Sequence, residues 1–113
     1  MAYDEHLARR IKKILDENHV NYEEKKMMGG LCFMVAEKMC IGIMKDQLMA
    51  RIDPALRAQL LTRNGARPMD FTGKPMQGFL FVEAEGVDMD KDLEFWVQQC
   101  LDFNPLAKSS RKK

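Results

Sequence analysis

Two serines, two histidines and three cysteines are the residues of this 113-residue chain to weigh first for a serine or cysteine nucleophile with its base. Ser109 and Ser110 both fall in a basic tail, which leaves a Ser-His-acid hydrolase without an ordered nucleophile. His6 and His19 sit near opposite ends of the first expected helix. At the helical rise per residue they stand about 20 Å apart, too far to share a metal ion. Cys32, Cys40 and Cys100 follow no CxxC spacing. They are expected as reduced, buried thiols, two in strands and one on a helix face. A redox sensor would need a setting that stabilises the thiolate. A cysteine-dependent enzyme using Cys32 or Cys40 stays as an alternative, although no motif places an acid and a base beside either thiol. The glycines at 29, 30, 73 and 78 form neither GxGxxG nor GxxxxGK[ST], so a phosphate cradle is not expected. No catalytic, cofactor-binding or metal-ligating residue is assigned, and no cofactor is expected.

Methionine is the residue type in excess, with ten in the chain, of which Met27, Met28, Met34, Met39, Met44 and Met49 gather in one region. Soft, unbranched side chains fill irregular core gaps, and they also line adaptable binding surfaces. Core packing is the first reading and a partner groove the second. A copper site comes third, because no MxxM or HxM spacing recurs. Residues 51–78 form the other unusual stretch. Arg51, Arg57, Arg63, Arg67 and Lys74 face only Asp53 and Asp70 there, on a body (residues 1–104) that is otherwise acidic. A long connection in a compact domain needs a reason, and recognition of an acidic partner is one. Asn64-Gly65, Pro68 and Pro75 shaping a crossing loop is the plainer one. The candidate interaction residues are Arg63, Arg67, Met69, Lys74, Met76 and Phe79.

The elements that would position these residues follow from periodicity. Asp4 caps a helix over residues 4–18, whose Leu7, Ile11, Ile14 and Leu15 make one apolar stripe. Residues 23–27 read as a short charged strand or strand lead-in. Residues 31–36, 39–44 and 47–52 read as three strands joined by two-residue turns at Glu37-Lys38 and Lys45-Asp46, an antiparallel meander. Gly42 marks a bulge or a close backbone approach. Asp53-Pro54 starts a helix over residues 54–62 that buries Leu56, Leu60 and Leu61. A Gly/Pro-rich stretch, residues 62–78, holds one short strand near residues 69–71, and residues 78–83 form a further strand. The last helix, ending at Asn104, carries Leu93, Trp96, Val97, Cys100 and Leu101 on one stripe.

This order, α-β-β-β-α-β-β-α, closes most simply as an α+β fold: a two-layer antiparallel sheet with helices on one face. Length and the 46% hydrophobic and 31% charged fractions suit one domain, residues 1–104, followed by a basic tail at residues 105–113 that is expected to be disordered. The tail, with Lys108, Arg111, Lys112 and Lys113, joins residues 63–74 in the alternative of a weak nucleic-acid-binding protein. The longest apolar run, residues 39–44, is six residues and cannot span a bilayer. The first six residues show no signal-peptide pattern. A cytoplasmic protein with no membrane partner is expected.

Three blocks carry a family resemblance: Lys25-Lys26-Met27-Met28-Gly29-Gly30-Leu31-Cys32-Phe33-Met34, then Asp46-Gln47-Leu48-Met49-Ala50-Arg51, then Ala66-Arg67-Pro68-Met69-Asp70-Phe71-Thr72-Gly73-Lys74-Pro75-Met76-Gln77-Gly78-Phe79. In order, over about residues 2–104, they resemble the N-terminal domain of the TfoX/Sxy competence regulators, most specifically across residues 67–79. Met28 stands where an aromatic is the family's expected residue. The resemblance implies a secretion-chaperone-like α/β fold and a homodimer. For full-length regulators it implies co-activation of DNA-uptake genes together with the cyclic-AMP receptor protein. It supplies no catalytic residue. The function expected is a non-enzymatic regulatory or protein-binding module whose protein partner is unknown.

Overall fold

The computed structural model describes residues 3–27, 30–71 and 74–106, with side chains throughout except at 27, 69–71 and 74–77. Helix α1, Glu5–Glu17, begins where expected because the Asp4 carboxylate accepts from the amides of His6 and Leu7 at 2.9 and 3.1 Å. Its stripe of Leu7, Ala8, Ile11, Ile14 and Leu15 is buried. The helix ends at Asn18, whose side-chain amide donates to the Ile14 carbonyl, and His19 turns the chain away at φ 57°.

Strands β1, Glu23–Met27, β2, Gly30–Val35, β3, Lys38–Met44, and β4, Gln47–Arg51, follow as a meander. The β2–β3 turn sits at Ala36-Glu37, one residue earlier than the polar pair Glu37-Lys38 indicated. Both turn residues have positive φ, 54° and 64°, which gives the hairpin the twist of its strands. Lys38 is freed to open β3, where its ammonium donates to the Asn104 carbonyl at 3.1 Å. A short 3-10 turn, Pro54–Leu56, and helix α2, Arg57–Leu60, come next. Leu60 is buried, but Leu56 is 38% exposed and not part of the core. The 3-10 turn rotates it off the stripe that a continuous α-helix would have made.

Residues 62–78 are not a long loop. They contribute to a hairpin of β5, Ala66–Phe71, and β6, Lys74–Val82. Gly65, at φ 83°, makes the entry turn. Pro68 is tolerated because β5 is the outermost strand, where a missing amide breaks few ladder bonds. The six strands run antiparallel in the order β1-β2-β3-β4-β6-β5. Helix α3, Asp90–Phe103, then buries Leu93, Trp96, Val97 and Cys100. The Arg10 guanidinium donates to the Val87 carbonyl at 2.8 Å, tying α1 to the start of α3. The buried Asn104 amide donates to the Val35 carbonyl at 3.0 Å, fixing the other end of α3 to β2.

The core lies between α1, α3 and one face of the sheet. Leu31, Phe33, Ile41, Ile43, Leu48, Ala50, Leu80 and Val82 supply the sheet side, and cross-strand register places them in two adjoining rows. Period-2 alternation sends the residues between them to the opposite face. One bulge interrupts that rule. Phe33 pairs with Ile41 but Met34 pairs with Met39, so Cys40 is the extra residue and joins Ile41 in the core. The bulge expected near Gly42 therefore lies two residues earlier. Gly42 meets the other half of its expectation: a Cβ there would lie 3.0 Å from the Leu31 carbonyl oxygen.

Candidate interaction surface

Among the described residues, α1 and α3 pack on one face of the sheet and leave the other without a helix. Across the other, register gives one row of Lys25, Cys32, Gly42, Met49, Phe81 and Arg67 on successive strands. Beside it run Glu23, Met34 and Met39, then Arg51 paired with Phe79. Met34, Met39, Met44, Phe79 and Phe81 are half-buried there. Cys32 and Met49 are buried. The result is an apolar floor of thioethers and aromatic rings. Lys25, Glu23 and Arg67 stand exposed around it.

Arg51 is the charged group set into that floor. Its guanidinium lies 5.5 Å from the Phe79 ring centre, and its Nη1 donates to the Met39 carbonyl at 3.3 Å. A cation held over a ring and bonded to a backbone oxygen keeps its stem flat on the apolar surface.

The expected interaction residues divide between the faces. Arg67 and Phe79 belong to the open face, where Arg67 pairs with Glu83 at 3.0 Å. Arg63 belongs to the helix layer. It stacks 3.6 Å from the Phe95 ring centre and meets Asp92 at 3.7 Å. The side chains of Met69, Lys74 and Met76 lie outside the described residues, as does the tail from residue 107. Two of the cations expected to meet an acidic partner thus already face acids of the chain itself.

Met34, Met39, Met44, Met49, Phe81 and Arg51 join the candidate set. Their signal in the sequence was the alternation Leu31-Cys32-Phe33-Met34 and Leu48-Met49-Ala50-Arg51, in which one phase is core and the other carries the thioethers and Arg51.

Chemistry at the thiols is opposed by their surroundings. Burial pushes Cys32 up to about 11, against the pull of Lys25 and Arg51. Burial pushes Cys40 up to about 12, with Cys32 adding to the rise, and takes Cys100 well above its ordinary value. At neutral pH this burial keeps Cys32 in the thiol form. Among the described residues no three of His, Cys, Asp and Glu gather where they could hold a metal ion, and no helix is long and apolar enough to cross a membrane. A cleft of about 340 Å³ between α1 and α3 is lined mostly by charged side chains, with Ile14 and Leu93 among them.

The model of one family, the TfoX N-terminal domain, matches residues 14–104. That span runs from the second half of α1 through the end of α3. No curated protein and no solved structure matches the chain.

Proposed function

We propose that this chain, which belongs to the TfoX N-terminal domain family, is a non-enzymatic regulatory module that docks a protein partner on its open sheet face. The observation that carries this reading is the one-sided covering of the sheet: Met34, Met39, Met44, Phe79 and Phe81 are half-buried on the face that none of the described helices covers. Thioethers reshape to a partner at low cost, and aromatic side chains beside an arginine are the usual anchors of interfaces. The charged rim of Lys25, Glu23 and Arg67 would set orientation more than affinity. The process served is transcriptional regulation of the competence type, in the cytoplasm, with the chain as a homodimer. Raised thiol pKa values support the absence of a cysteine nucleophile.

Sedimentation combined with affinity capture tests the proposal. Wild-type protein is expected to self-associate or retain a protein partner, and Phe81→Ser and Met34→Lys to lose both while remaining folded. Capture and association unchanged in both variants would refute the docking surface.

A further inference from the structure

The open face also concentrates sulfur. Cys32 and Met34 alternate along β2 and point the same way, with the Cys32 thiol 3.7 Å from the Met34 thioether sulfur. Met49 approaches from two strands away. Cys32, Gly42 and Met49 are successive partners across β2, β3 and β4, which places the outer two backbones about 10 Å apart. Gly42 leaves the space between them free of a side chain. Met49 fills it: a Cβ on Gly42 would lie 2.8 Å from the Met49 methyl carbon. A thiol and its neighbouring thioether therefore sit beside the Met49 side chain, whose methyl lies over Gly42, in a spot where Cys32 is 0% and Met49 5% exposed.

We propose that Cys32, Met34 and Met49 form a binding site for a soft monovalent d¹⁰ cation, copper(I). Thiolate and thioether donors select copper(I) over harder divalent ions. With metal–sulfur bonds of about 2.3 Å, sulfurs set trigonally around one ion lie about 4 Å apart, close to the separation of Cys32 and Met34. Binding forms a copper–sulfur bond as the Cys32 thiol releases its proton to solvent, and the metal keeps its oxidation state. Burial opposes the free thiolate, Lys25 and Arg51 offset part of that cost, and the copper–sulfur bond has to supply the rest. Met34, an unbranched and half-buried side chain in contact with the thiol, can swing to admit the ion. The sequence pattern did not favour copper because its donors are spaced for a sheet: two lie at i, i+2 on one strand and the third comes across a glycine.

This site does not depend on docking of a protein partner. Anaerobic titration of the reduced chain with copper(I) held by a chromophoric chelator tests it. One equivalent is expected to transfer to the protein. Cys32→Ser should weaken binding by about a hundredfold, and Met34→Leu and Met49→Leu by about tenfold each. Met89→Leu, at the exposed start of α3, should bind as the wild type does. Silver(I) bound to methyl-labelled protein should shift the Met34 and Met49 methyl resonances and leave that of Met89 in place, which separates lost ligation from lost folding. Failure of the chelator to yield copper, full affinity in Cys32→Ser, or full affinity in both leucine variants would overturn the site. Equal binding of zinc(II) would do the same.

Discussion

The two faces of one sheet are built from alternate residues of the same strands, yet their side chains differ in kind. On the covered face, Leu31, Phe33, Ile41, Ile43, Leu48 and Leu80 are branched or aromatic and lie under Trp96, Leu93 and Ile11. On the open face, Met34, Met39, Met44 and Met49 are unbranched, with Phe79 and Phe81 beside them. Branched side chains have few rotamers and pack into one solution, whereas methionine adapts. On the proposed reading, the contrast separates stability from recognition within a strand, one residue apart.

If that separation holds, the largest losses of stability come from the covered face. Trp96→Ala should cost about 3–5 kcal/mol in urea unfolding, enough to unfold much of a domain this size. A loss under about 1 kcal/mol would mean the helix layer is not where the fold is held.

The buried thiols give the next effect. Their folded pKa values lie above the unfolded value of about 8.5, so the native state holds protons that the unfolded chain releases. Stability from Cys32 and Cys40 is fully present below about pH 8.5 and is lost as pH rises toward 11 and 12. The slope is up to about 1.4 kcal/mol per pH unit for each thiol, and Cys→Ala variants should flatten it.

Gly42→Ala, in the open-face row, should cost about 1 kcal/mol by calorimetry, since Met49 can swing aside but the Leu31 carbonyl cannot. On the open face, Phe81→Ser should change stability by less than about 1 kcal/mol while abolishing association, a split that covered-face variants cannot produce. Arg63→Ala, smallest of all, loses a stack on Phe95 and a surface ion pair with Asp92, and should fall within about 1 kcal/mol of wild type.

The amphipathic helices were the most legible elements. The stripes of α1 and α3 and the Asp4 cap each depend on residues within a few positions of one another. The meander was legible for the same reason, but its fine register was not. The turn at Ala36-Glu37 and the extra residue Cys40 depend on how β2 meets β3. Residues 62–78 looked like a loop because Gly65, Pro68 and Pro75 are loop residues in isolation. An edge strand accepts proline, and that position is a property of the whole sheet. The candidate site suffered most. Its cations were sought in one segment, and the topology sends Arg63 to the helix layer and Arg67 to the open face. The methionines were visible by number, but their side of the sheet came only with pairing.

Oxidation footprinting of the methionines at increasing dilution probes the open face most directly. In dilute, monomeric protein Met34, Met39 and Met44 should react at rates within about tenfold of the exposed Met89, with Met49 far slower, and all should become protected when a partner or second copy binds. Met34, Met39 and Met44 as slow as Met49 in a sample that sediments as a monomer would show that something in the chain already covers this face, and the account would fail.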